Sequence, residues 1–106
     1  MTRIEQLQEF LKDTPNDPFL HYAIAQEFNK QGNKQQALEK YLELVANFPN
    51  YVGTYYHLGK TQIELGQKSE AMNTFETGIK IAQEIKDQHS LAELQSARLE
   101  LLYDED

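Results

Sequence analysis

Residues Asn29–Tyr41 read NKQGNKQQALEKY, and residues Ile63–Phe75 read IELGQKSEAMNTF. In both stretches a lysine follows a glycine by two residues, an alanine follows the lysine by three, and an aromatic ring follows the alanine by four. The copies lie 34 residues apart, and the same displacement carries Glu5 onto Glu39, Glu9 onto Glu43, Pro15 onto Pro49, Asn16 onto Asn50 and Tyr22 onto Tyr56. Apolar positions keep step, with Ile24 meeting Leu58, Ala25 meeting Gly59, Leu38 meeting Met72 and Val45 meeting Ile79. No gap is needed, and the identities fall where turns and close packing restrict residue choice. The chain is an internal repeat.

Within each copy the apolar spacing is helical. Leu20, Ile24 and Phe28 follow i, i+4, i+8, as do Ala37, Tyr41 and Val45, and no stretch alternates over a strand's length. Thr2 and Glu5 make a capping box ahead of Leu7 and Leu11. Asn16, Asp17 and Pro18 start a second helix, where proline's missing N–H is harmless. Gly32 and Gly66 stand where a helix closes through a left-handed residue, and Pro49 ends another helix by clashing with the preceding turn. The map predicts helices over about Thr2–Asp13, Pro18–Gln31, Lys34–Asn47, Tyr51–Leu65, Lys68–Lys86 and Ser90–Tyr103.

This pattern resembles the tetratricopeptide repeat, whose signature runs W-x2-L-G-x2-Y, then A-x3-F, then P. His21, Ile24, Ala25, Phe28, Ala37, Tyr41 and Pro49 stand for it in the first full unit, and Tyr55, Leu58, Gly59, Gln62, Ala71 and Phe75 in the second. The resemblance implies an all-α fold of about six helices, a right-handed α-α superhelix of antiparallel helix pairs. On this reading residues 1–106 form one domain, with a half-repeat and capping helix at 1–17, repeats at 18–51 and 52–85, and a closing helix with an acidic tail at 86–106. Ala25, Gly59, Ala37 and Ala71 allow helix axes to approach toward the lower end of the ~8–10 Å range, and Tyr41 and Phe75 wedge between neighbouring pairs. The chain departs from the pattern at His21, at Gln62 and at Leu44 and Gly78, where a further alanine is common, and these departures are expected to loosen packing. Gln83 stands where a closing proline belongs, so the helix is expected to run on to about Lys86 and to break the register of any third unit.

Composition narrows the function. The chain has 17 acidic and 10 basic residues, a formal charge of −7 and no cysteine. The charge repels phosphate backbones and anionic headgroups, so neither nucleic acid nor a membrane surface is an expected partner. Nothing approaches the ~20 consecutive apolar residues of a membrane span, and Met1–Lys12 lacks the apolar run of a signal peptide, so a cytoplasmic protein is expected. His21, His57 and His89 show no metal-ligand spacing, and neither a phosphate loop nor a nucleophile elbow occurs. No cofactor, metal or enzymatic activity is expected.

The resemblance implies protein interaction, with a partner's peptide or helix lying in the concave wall built by the first helix of each unit. Once core positions are assigned, Phe19, Tyr22, Gln26 and Asn29 remain on one such helix and Gly53, Tyr56, Lys60 and Ile63 on the other, each set spaced i, i+3, i+7, i+10. With His57 these are the candidate contact residues. Tyrosine offers flat apolar area, a hydroxyl and few rotors to freeze. The other reading has Tyr22 and Tyr56 packing against the preceding unit, and Phe19 in the core. In well-known peptide-binding members, lysine and asparagine clamp a terminal carboxylate on this wall. Tyr22, Gln26 and His57 occupy the corresponding positions here, so that clamp is not implied, and the acidic surface suits a neutral or basic segment. A self-associating assembly subunit is the alternative. In the last helix Leu91, Leu94, Leu101 and Leu102 make one stripe, while Ala92, Leu99 and Tyr103 lie round from it and are free to meet a second copy as a homodimer.

Overall fold

The computed structural model describes residues 1–104 and consists of α1 (Arg3–Asp13), α2 (Pro18–Lys30), α3 (Lys34–Asn47), α4 (Gly53–Glu64), α5 (Lys68–Ile85) and α6 (Gln88–Leu102), with no strand among the described residues. The chain folds as two compact units, Met1–Tyr51 and a second that begins at Val52. Of the expected acidic tail, Glu105 and Asp106 lie outside the described residues. Asp104 is not simply solvated, because its carboxylate accepts from Lys68 Nζ at 2.8 Å.

The helix ends have the chemistry the sequence predicts. Thr2 Oγ1 accepts from the Glu5 N–H at 3.1 Å while Glu5 Oε1 accepts from the Thr2 N–H at 2.9 Å, which closes the capping box. Asp17 Oδ1 accepts from the Phe19 N–H at 2.9 Å with Pro18 at the first turn of α2. Three helices close alike. Gly32 (φ +84°), Gly66 (φ +80°) and Lys86 (φ +62°) are left-handed. The residue after each donates to the carbonyl five back, as Asn33 to Phe28 at 2.9 Å, Gln67 to Gln62 at 2.7 Å and Asp87 to Ala82 at 2.9 Å. Lysine at this position is unfavourable, since its Cβ crowds the backbone. α6 starts earlier than Ser90 because Asp87 caps it, accepting from the Ser90 N–H at 3.0 Å and the Ser90 hydroxyl at 2.8 Å.

In the first unit Leu7, Ile24, Ala25, Ala37, Leu38, Tyr41 and Leu44 are buried. In the second the buried apolar set includes Tyr55, Leu58, Ala71, Phe75, Ala82, Leu94 and Ala97. Here the expected loosening fails. A Cβ on Gly59 would lie 2.2 Å from Phe75 Cε1, and one on Gly78 would lie 2.6 Å from Tyr55 Cβ and 3.0 Å from Leu94 Cδ1. So α4 and α5 touch at Gly59, and alanine at Gly78 would collide. Gln62 is buried too, but its Oε1 accepts from Thr74 Oγ1 at 2.7 Å, a polar tie in place of an aromatic ring. Leu44 is almost completely buried. The α6 stripe also differs from expectation: Ala97 joins Leu94 inside, whereas Leu102 is 53 % exposed, on the side of Leu99.

Candidate functional site

The first unit carries four of the candidate residues on α2. Phe19 follows the Asp17 cap and is 56 % exposed, so it is not a core residue. Tyr22 is half-buried, its ring edge-on to Tyr51 at 5.7 Å and 6.4 Å from Tyr41, and its hydroxyl accepts from Gln26 Nε2 at 3.0 Å. Tyr22 therefore packs within its own unit while keeping an edge in solvent. Asn29 Oδ1 accepts from Lys34 Nζ, which turns that amide toward α3. His21 is held below this face, its Nε2 donating to the Pro15 carbonyl at 2.8 Å and its ring 5.8 Å from Phe48. Burial pushes the phenol of Tyr41 up, and Tyr22 beside it adds to the rise.

The second unit carries the remainder on α4. Gly53 opens the helix with clear space where a Cβ would stand. Tyr56, His57 and Lys60 form a cluster, with the Tyr56 and His57 rings perpendicular at 5.3 Å and Lys60 Nζ 5.8 Å from the Tyr56 ring centre. The ammonium over the ring is a cation–π pair. His57 is half-buried, and burial lowers its pKa below the ordinary 6.5, partly offset by the Glu93 carboxylate. Lys60 and Ile63 then line a crevice of about 280 Å³ whose other wall is Ala97, Glu100 and Leu101 of α6 with Asp104 just beyond its end. None of these four was expected as part of the site, although Leu101 belongs to the expected α6 stripe and Asp104 to the expected tail. Their signal lies in register: Leu91, Leu94, Ala97 and Leu101 repeat Tyr55, Leu58, Thr61 and Leu65 after 36 residues, a step that the 34-residue period hides.

A larger crease of about 720 Å³ lies between α5 and α6, lined by Ile79, Lys80, Gln83, Gln95 and Leu99 and crossed by Arg98 Nη2 donating to Glu76 Oε2 at 3.2 Å. Among the described residues no three or more acidic or histidine side chains come together as a metal site, and no helix is long and apolar enough to cross a membrane.

Helix pairs with glycine-closed turns and small residues at the crossing define the class: a helical-repeat fold, of the kind that presents extended binding surfaces. A solution structure of a tetratricopeptide repeat domain protein from Salinibacter ruber is 44% identical, with a TM-score of 0.81, covering 87% of this chain and 94% of that one. A crystal structure of a tetratricopeptide repeat domain protein from the same organism is 46% identical over 82% of this chain and 98% of that one, with a TM-score of 0.79. The TPR2B domain of yeast Sti1, in a complex with pHsp70, shares the fold at a TM-score of 0.84 and 18% identity, covering 92% of this chain and 78% of that one. No match was found among curated proteins. The family model described as Anaphase-promoting complex subunit 5 matches residues 18–105. The chain belongs to the tetratricopeptide-repeat proteins and, among them, to the family which that model describes.

Proposed function

We propose that the chain is a cytoplasmic protein-interaction module, without catalysis of its own, that takes an extended or helical segment of another protein. Residues 18–51 and 52–85 serve as the two full repeats, with 1–17 and 86–106 as the flanking caps. Phe19, Tyr22, Gln26 and Asn29 on α2 and Gly53, Tyr56, His57, Lys60 and Ile63 on α4 are the contact residues. The observation that carries this reading is the pairing of a half-buried aromatic cluster with an open crevice: Tyr56, His57 and Lys60 stand beside the space that Lys60 and Ile63 share with α6. Such a surface offers flat apolar area, a seat for a side chain and polar groups of both signs. The yeast domain, which shares only the fold, is described with a protein ligand, and that agrees with the general class of function. With a formal charge of −7, a neutral or basic segment meets less repulsion than an acidic one.

The test is a peptide selected from a random-sequence display library on the immobilised full chain, followed by amide chemical-shift mapping. The reading expects shifts concentrated on α2 and α4 and in the α6 residues of the crevice. Shifts confined to α3 and the outer side of α5 would overturn it.

Self-association remains the second reading, favoured by one observation: Leu99 and Leu102 are each 53 % exposed on a helix that already buries Leu94.

A further inference from the structure

The crevice between α4 and α6 has apolar and charged walls. Ile63, Ala97 and Leu101 make the first, with the alanine buried and the other two half-buried, and Lys60, Glu100 and Asp104 make the second. At about 280 Å³ it falls short of the ~300–1,000 Å³ of a small-molecule site and has room for one long side chain. Its three charges are not equally engaged. The Lys60 ammonium lies 5.8 Å from the centre of the Tyr56 ring, so its charge is turned onto the aromatic face and its methylenes are left to line the crevice. Asp104 Oδ2 accepts from Lys68 Nζ at 2.8 Å, which balances that carboxylate. Glu100 is exposed and makes no ion pair among the described residues. Two turns back along the same side of α6, Glu93 sets a second carboxylate close enough to act on His57. The imidazole brings no opposing charge at neutral pH, because burial lowers its pKa below 6.5.

We propose that the crevice seats one lysine or arginine side chain of the partner segment, its aliphatic stem lying on Ile63, Ala97 and Leu101 and its cationic head meeting the Glu100 carboxylate. The choice of occupant follows from shape and charge together. A long basic side chain is the type that covers apolar surface with its stem while its head stays in water, and a crevice with an apolar wall and an exposed carboxylate matches both halves. A purely apolar side chain would fill the same space but leave Glu100 without a partner and less hydrated. An acidic one would face Glu100 and Glu93 at short range and a chain of formal charge −7 at long range. The local carboxylates and the field of the whole chain therefore select the same occupant. This inference rests on the peptide-binding reading and adds to it the residue type that the crevice recognises.

The probe is the peptide selected from the display library on the full chain, synthesised again with each of its basic residues replaced in turn by norleucine, which keeps the stem of lysine and drops the ammonium. One replacement is expected to weaken binding to the wild-type chain by about fivefold in Kd. The same replacement is expected to change nothing against Glu100→Gln, whose exposed position leaves the fold intact. Glu39→Gln on α3 makes an equal change of net charge on an exposed residue outside the crevice, and there the fivefold effect is expected to persist. A selected peptide that contains no lysine or arginine would overturn the seat. So would norleucine replacements that cost the same in the wild type and in Glu100→Gln while the amide shifts still fall on α4 and α6, and in both cases the peptide-binding reading stands. Shifts confined to α3 and the outer side of α5, or a library that yields no binder, would overturn that reading and the seat with it.

Discussion

Two glycines in the second unit show how far single atoms govern this fold. Gly59 lets the Phe75 ring rest on the backbone of α4, and Gly78 lets α5 meet the Cβ of Tyr55. A side-chain tip can swing away from an added methyl, but a Cβ cannot. Gly78→Ala and Gly59→Ala are each expected to destabilise the protein by about 1–3 kcal/mol, measured by urea denaturation, because the interior has no slack to absorb the volume. Thr61 works in the opposite direction. It is fully buried and its hydroxyl has no hydrogen-bond partner among the described residues. Thr61→Val keeps the shape and removes the desolvated oxygen, so it is expected to stabilise by about 1 kcal/mol. His57 sets a pH dependence. Its folded pKa lies below 6.5, so as pH falls below that value the unfolded chain takes up a proton before the folded one does, and stability drops. Unfolding free energies measured from pH 7.5 down to pH ~5 are expected to fall more steeply for the wild type than for His57→Gln. Equal slopes would contradict a half-buried imidazole whose pKa is lowered by desolvation.

At the scale of elements, much was legible because helix ends are written in local chemistry. Thr2 with Glu5, Asp17 before Pro18, and Gly32 and Gly66 each act through the next few residues of backbone, which a sequence displays directly. The end of α5 was legible only in part. Without a proline at Gln83 the helix runs 18 residues against 14 for α3, then closes through Lys86 in a conformation that favours glycine. Lys86→Gly is expected to stabilise by about 1 kcal/mol, read from thermal or denaturant unfolding, by removing the left-handed strain. Asp87→Ala is expected to cost a similar ~1 kcal/mol, as it deletes the cap of α6. Packing was the harder part. Gly78 and Gln62 look like defects against a family pattern, yet one marks a tight contact and the other a buried hydrogen bond. Only three-dimensional neighbours distinguish a gap from a fit. The faces of α2 and α4 followed from helical periodicity, whereas the α6 wall of the crevice did not, because its core positions repeat those of α4 after 36 residues and not 34.

For the whole molecule, each compact unit contributes one aromatic face. Tyr22 with Gln26 in the first and Tyr56 with His57 and Lys60 in the second are prepared by contacts inside their own unit. Tyr22 is steadied by Tyr51 and by the Gln26 amide, and Tyr56 by His57 and the Lys60 ammonium. Side chains already restrained lose little freedom on binding, which favours affinity. The second reading uses the exposed Leu99 and Leu102 of α6 and not the α2 and α4 faces, so each can be removed without the other. Leu99→Glu is expected to leave peptide affinity unchanged. The most direct measurement is calorimetric titration of a library-selected peptide into the wild-type chain and into a Tyr56→Ala, Lys60→Ala double variant of unchanged helicity. A loss of roughly 2 kcal/mol, about 30-fold in Kd, is the predicted result. Undiminished affinity in the double variant would contradict the account.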